Sequence, residues 1–190
     1  MRSLNTIIQA KKDGVELTSE EKMFFRYDAE IREFVTRFEF HYFLTLTFRY
    51  PVYKKDEATR AINQFINRVS VACYGARSGK RLVSLAVLEK SKNDSYHVHM
   101  LIQDPQMRMT KEQRLKKFNL RDILIESWMS ASSKTGHPAR TANGDEWFRP
   151  VDGVEEAMSY MNKKFNPNSS YPSTYIAFEC SSLYGKKGAA

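Results

Sequence analysis

The chain has 190 residues, and its 30 Lys and Arg outnumber its 22 Asp and Glu to give a formal net charge of +8. That length suits one domain with a real apolar core and an appended helix or tail, and the basic excess favours a polyanionic partner, nucleic acid first. Its two cysteines, Cys73 and Cys180, form no CxxC pair, which excludes a cysteine-rich zinc module or a disulfide scaffold and suits free thiols in a reducing compartment. The N-terminal stretch lacks the apolar run of a signal peptide, and no stretch approaches a membrane span. The expected location is the cytoplasm, with no membrane partner.

Taken in chain order, Thr18-Ser19-Glu20-Glu21 has the pattern of a helix start, and Met23, Phe24, Tyr27, Ile31, Phe34 and Phe38 then recur at helical spacing until near Arg37. Residues 41–48 predict a strand. Residues 56–74 predict a helix with Ala61, Phe65, Ile66 and Val69 as its buried stripe. Residues 81–90 and 96–103 predict two strands joined by the polar turn 91–95. A helical stretch over 110–130 has an interruption near Asn119. A polar loop with Gly136, Pro138 and Gly144 leads to a short strand over 146–151, a helix over 154–165, and a further strand over 174–178 before a loose tail.

Leaving the leading helix aside, the order β-α-β-β-α-β is that of a split β-α-β arrangement. The expected class is α+β, an antiparallel sheet with helices on one face and the other face open. The first strand supports this, because Leu44, Leu46 and Phe48 share one face while Phe43, Thr45 and Thr47 share the other.

The chemistry concentrates in His97-Val98-His99, two of only four histidines in the chain. On a strand, residues i and i+2 point to one face, so both imidazoles project together while Val98, Met100 and Ile102 point away. Folding the hairpin about Asn93 places Val87 opposite His99 and Glu89 opposite His97, on the face of the imidazoles. Two imidazoles and a carboxylate suit a divalent cation, Mn²⁺ or Mg²⁺ in phosphoryl chemistry, with Zn²⁺ also accommodated. The plainer alternative is a surface histidine pair beside a solvated acid at a strand end.

A second element is Tyr160-Met161-Asn162-Lys163-Lys164. Tyr160 and Lys163 share a helix face. A tyrosine hydroxyl can attack a phosphodiester, and a lysine one turn away favours the phenolate and offsets charge on the phosphate. Alternatively, Tyr160 is one more aromatic on an amphipathic helix. Lys54, Lys55, Arg81, Lys90 and Lys92 cluster around loops at the sheet edge. With Lys164 and the open-face threonines Thr45 and Thr47, they are the expected nucleic-acid contacts. The glycine-containing run 75–81 fails as a phosphate loop, having too short a glycine spacing and no hydroxyl residue after Lys80. His41 and His137 suit packing or surface roles, and Trp128 and Trp147 suit the core.

Three motifs together, Phe43-Leu44-Thr45-Leu46-Thr47-Phe48, His97-Val98-His99 and Tyr160-x-x-Lys163, resemble the HUH superfamily of single-strand DNA endonucleases. Their order is similar to that of rolling-circle replication initiators, whereas conjugative relaxases carry the tyrosine before the histidines. Position 156 is Glu156, so a paired-tyrosine arrangement is absent. The stretch 96–103, with Ile125-Glu126-Ser127-Trp128, looks closest to filamentous-phage-like and plasmid initiators. The resemblance implies a ferredoxin- or RRM-like HUH domain over 40–165, preceded by a helical extension over 1–39 and followed by a strand and tail over 166–190. It implies a metal-assisted enzyme that nicks and rejoins single-stranded or hairpin DNA at an origin in a bacterial host. Tyr160 would form a 5′-phosphotyrosine link, and a host helicase would be a partner. A single-tyrosine transposase shares the same motifs, and a DNA-binding protein that has lost catalysis shares the fold.

Overall fold

The computed structural model describes residues 4–91, 93–115, 118–138, 147–151, 174–177 and 181–183. Helices α1 (Leu4–Lys12) and α2 (Ser19–Val35) precede strand β1 (Tyr42–Leu46) and the long helix α3 (Lys55–Tyr74). The hairpin β2 (Ser84–Lys90) and β3 (Tyr96–Ile102) follows. A single 3₁₀ turn over Pro105–Arg108, helices α4 (Lys111–Leu115) and α5 (Leu120–Met129), and short strands β4 (Phe148–Pro150) and β5 (Thr174–Ile176) complete the described elements. No helix among the described residues is long and apolar enough to cross a membrane.

Local chemistry accounts for the boundaries. Thr18 and Glu21 form a reciprocal capping box, the Glu21 amide donating to Thr18 Oγ1 at 3.2 Å and the Thr18 amide to Glu21 Oε2 at 3.0 Å. Asn119 ends the helical stretch begun at α4 and caps α5, its Oδ1 accepting from the Arg121 amide at 3.1 Å. The β2–β3 turn closes with the Ser91 amide on the Ser95 carbonyl at 2.8 Å, and Asp94 takes the positive φ of 59° that the tight return requires. Helix α1 was not among the sequence expectations.

The five strands form one sheet in the order β4-β1-β3-β2-β5, every neighbouring pair antiparallel. Strand β3 lies between β1 and β2, so the α3 crossover joins two strands separated by a third. This is the split β-α-β arrangement that the element order predicted. On one face Leu44, Leu46, Ala86, Leu88, Val98, Met100 and Ile102 pack against the buried stripe of α3 and against Leu124 and Trp128 of α5. Trp128 and Trp147 both belong to this core.

The opposite face is not wholly open, which corrects the expectation of helices on one side only. Phe43, Leu85, Val87 and Leu101 form a second buried cluster there, joined by Val83, Val35 and Phe40 and flanked by Phe34 and Phe38. Apolar side chains on both faces of β2 demand cover on both, and the end of α2 with the following segment supplies it. Only the end of this face near the β2–β3 turn remains polar. Met23, expected on the apolar stripe of α2, is 70% exposed because the helix makes its sheet contact through its C-terminal end.

Candidate metal centre

The polar end of the sheet face carries Glu89 on β2, His97 and His99 on β3, and Thr45 on β1. Cross-strand register sets this grouping: Glu89 is opposite His97, Val87 is opposite His99, and Thr45 faces His99 from the other side. The turn at Ser91–Ser95 thus delivers the register that the sequence predicted for the hairpin.

Glu89 Oε2 lies 3.0 Å from His97 Nε2 and 2.8 Å from His99 Nε2. The carboxylate side chain is only 5% exposed, and the two imidazoles are 19% and 16% exposed. The site is therefore walled by the sheet yet open above the rings. Ligands on adjacent corners of an octahedron, each ~2.1 Å from a shared cation, stand ~3 Å apart. The observed spacing of the oxygen and the two nitrogens fits that requirement, and all three lie within 4.8 Å of one another. Two imidazoles and one carboxylate on one face of the ion leave positions for water or phosphate oxygens.

His99 is the most constrained of the three. Its Nδ1 lies 3.2 Å from Thr45 Oγ1, and its ring stacks on Phe43 with centroids 5.4 Å apart and 23° between planes. The Arg149 guanidinium of β4 covers the same Phe43 ring at 4.9 Å. His97 meets His99 edge-on at 4.9 Å.

A groove of about 430 Å³ opens beside His97, lined by Thr45, Thr47, Arg49, Pro51, Ser95 and Tyr96 among others. Its wall, the segment after β1, is pinned at several points. Trp128 Nε1 donates to the Thr47 carbonyl at 2.9 Å, the Arg49 amide to the Lys134 carbonyl at 2.7 Å, and the Tyr96 amide to the Val52 carbonyl at 2.7 Å. Gly136 passes so close that a Cβ there would sit 2.9 Å from Arg49 Cβ. Arg49 is exposed, and so are Tyr50 and Tyr53, at 51% and 61%.

Of the predicted nucleic-acid residues, Thr45 and Thr47 line the groove, and Lys54 and Lys55 stand exposed at the start of α3. Lys90 lies near Asp94, at 3.9 Å, with its Nζ over the Tyr96 ring at 5.6 Å. Arg81 points elsewhere: its guanidinium donates to Asn67 Oδ1 at 2.7 Å and Asn63 Oδ1 at 3.0 Å on α3, on the helical side of the sheet. Lys92, Tyr160, Lys163 and Lys164, and the helix predicted over 154–165, lie outside the described residues. Sequence reasoning passed over Arg49, whose signal was a cation immediately after the open-face threonines. His41 has a structural role, its Nδ1 accepting from the Asp104 amide at 3.3 Å.

A split antiparallel sheet presenting a two-histidine, one-carboxylate centre beside a groove with an arginine defines a class of protein equipped to hold a divalent cation and an anionic ligand together. The family model for replication-associated proteins of the ORF2 type matches residues 41–168, more than half of the chain, and the chain belongs to that family. No curated protein and no solved structure matches it.

Proposed function

We propose that the protein is a rolling-circle replication initiator that nicks and rejoins single-stranded DNA. The observation that carries this reading is the convergence of Glu89, His97 and His99 at the groove mouth in a chain of a replication-associated family. Glu89 Oε2 and the Nε2 atoms of His97 and His99 would hold Mn²⁺ or Mg²⁺, with Zn²⁺ also compatible with the donor set. A divalent cation there withdraws charge from the oxygens of a bound phosphate.

The remaining work falls to side chains. Arg49 and the exposed Lys54 and Lys55, all on the segment between β1 and α3, offer positive charge along which a DNA backbone runs. Tyr50 and Tyr53 offer faces for base stacking. The Tyr160 phenolate oxygen attacks the scissile phosphorus. The bond to the 3′ oxygen breaks, that oxygen takes up a proton, and the phosphate stays on Tyr160 as a 5′-phosphotyrosine. Lys163 favours the phenolate, and Lys164 adds charge toward the DNA. Attack by a 3′-hydroxyl on the phosphotyrosine reverses the step and rejoins the strand. The assignment of Tyr160 and the polarity of the link rest on the motif resemblance to the HUH endonucleases.

The deciding experiment incubates the full chain with 5′- and 3′-labelled single-stranded oligonucleotides covering its own replicon, with and without Mn²⁺. Metal-dependent cleavage with a covalent protein adduct on the 5′-phosphate side supports the reading. Binding without any cleavage across the replicon contradicts it and favours a DNA-binding protein that has lost catalysis.

A further inference from the structure

The two ring nitrogens of His99 face partners of different capacity. Nε2 meets Glu89 Oε2 at 2.8 Å, and Nδ1 meets Thr45 Oγ1 at 3.2 Å. A carboxylate oxygen only accepts. In this arrangement Nε2 carries the proton and donates to Glu89, and the Thr45 hydroxyl donates to Nδ1 of the neutral ring. A cation bound at Nε2 needs the lone pair of that nitrogen, which places the ring proton on Nδ1. The partner of Nδ1 must then accept instead of donate. A hydroxyl does both by rotating about one bond, whereas an amide N–H only donates and a carbonyl only accepts.

We infer that Thr45 is a positioning residue that holds His99 in its metal-binding tautomer; the inference rests on the metal centre proposed above. The fold supplies this contact through register. Thr45 is paired directly with His99 across β1 and β3, on the face opposite the buried Leu44 and Leu46, so its Cβ substituents stand beside the ring. Two constraints then act on one imidazole. Phe43, covered by Arg149, sets the plane of the ring, and Thr45 selects which nitrogen carries the proton. Thr45 is also the reason a hydroxyl residue is needed in a strand whose neighbouring positions are apolar.

The test uses the full chain and two substitutions. Thr45→Val keeps the β-branched shape and removes the hydroxyl, while Thr45→Ser keeps the hydroxyl. Calorimetric titration with Mn²⁺ should show Thr45→Val binding about 10–100-fold more weakly, the usual cost of removing a group that orients a metal ligand, with Thr45→Ser close to wild type. Long-range ¹H–¹⁵N spectra of the histidine side chains, recorded with and without diamagnetic Mg²⁺, should show His99 of the wild type moving from the Nε2–H to the Nδ1–H tautomer. In Thr45→Val the Mg²⁺-loaded ring should show a mixture. Wild-type affinity and a clean tautomer change in Thr45→Val would overturn the role, as would equal losses in both variants. If the wild-type chain itself binds neither ion, the metal centre fails along with the inference. Normal wild-type binding with an indifferent Thr45→Val removes the positioning role alone.

Discussion

Glu89 and His99 meet diagonally across the β2–β3 pair. Val87, not Glu89, is opposite His99, yet Glu89 Oε2 reaches His99 Nε2 at 2.8 Å as well as its direct partner His97 at 3.0 Å. One carboxylate oxygen thereby ties both imidazoles together, and it does so from a side chain that the sheet buries. Removing it should cost the metal more than removing any group behind the ligands. Glu89→Ala is expected to weaken Mn²⁺ binding beyond the ~10–100-fold typical of such outer contacts, and the His97→Ala/His99→Ala double variant should show no binding heat. Isothermal titration of the three proteins checks this, and a double variant that titrates like wild type would remove the site.

Arg49 and Arg81 should separate cleanly. Arg49 is exposed at the groove, whereas the Arg81 guanidinium is engaged by Asn63 and Asn67 of α3. For single strands each phosphate contact contributes about −0.7 to the slope of log K against log salt, so Arg49→Ala should make that slope shallower by ~0.7. Arg81→Ala should leave the slope unchanged and lower folding stability by ~1–3 kcal/mol, the range for hydrogen bonds to a charged group. Fluorescence anisotropy across a salt series and urea unfolding of both variants decide between the two assignments.

Tyr160→Phe removes one hydroxyl. Cleavage and the covalent adduct should vanish while Mn²⁺ binding at Glu89, His97 and His99 is retained. Lys163→Ala should slow cleavage without abolishing it, since the lysine assists and does not attack. Denaturing gels of labelled oligonucleotide and peptide mapping of the adduct provide the measurement. An adduct persisting in Tyr160→Phe and mapping to Tyr175 would move the nucleophile.

Cys73 sets an alkaline limit on stability. Burial pushes its thiol up to about 12, with the Asp104 charge adding to the effect, and burial likewise pushes neighbouring Tyr74 to about 12. An unfolded thiol ionises near ~8.5, so between that pH and the folded value the native state holds a proton that the unfolded state has lost. Stability is therefore fully present below pH ~8.5 and declines as pH rises. Thermal melts from pH 8 to 11 should show a falling Tm, with a shallower fall in Cys73→Ala. The same burial should make Cys73 unreactive toward thiol reagents in a Cys180→Ser background until the chain unfolds.

The sequence by itself determined the β2–β3 hairpin and what it carries. Alternation along 84–90 and 96–102 and the polar turn between them are local, and a pleat of period two then forces Glu89, His97 and His99 onto one face. The helix boundaries at Thr18 and Asn119 were legible for the same reason, since a cap acts within its own turn. Only the tertiary structure decided how the site face is divided. Phe43, Leu85, Val87 and Leu101 gather from three strands into an apolar patch that the end of α2 covers, and no local periodicity encodes that docking. The same holds for Thr45 beside His99, Arg149 over Phe43, and Arg81 turned toward Asn63 and Asn67. Each is a contact between side chains far apart in sequence, chosen by sheet order and packing, which become fixed only when all the strands are in place.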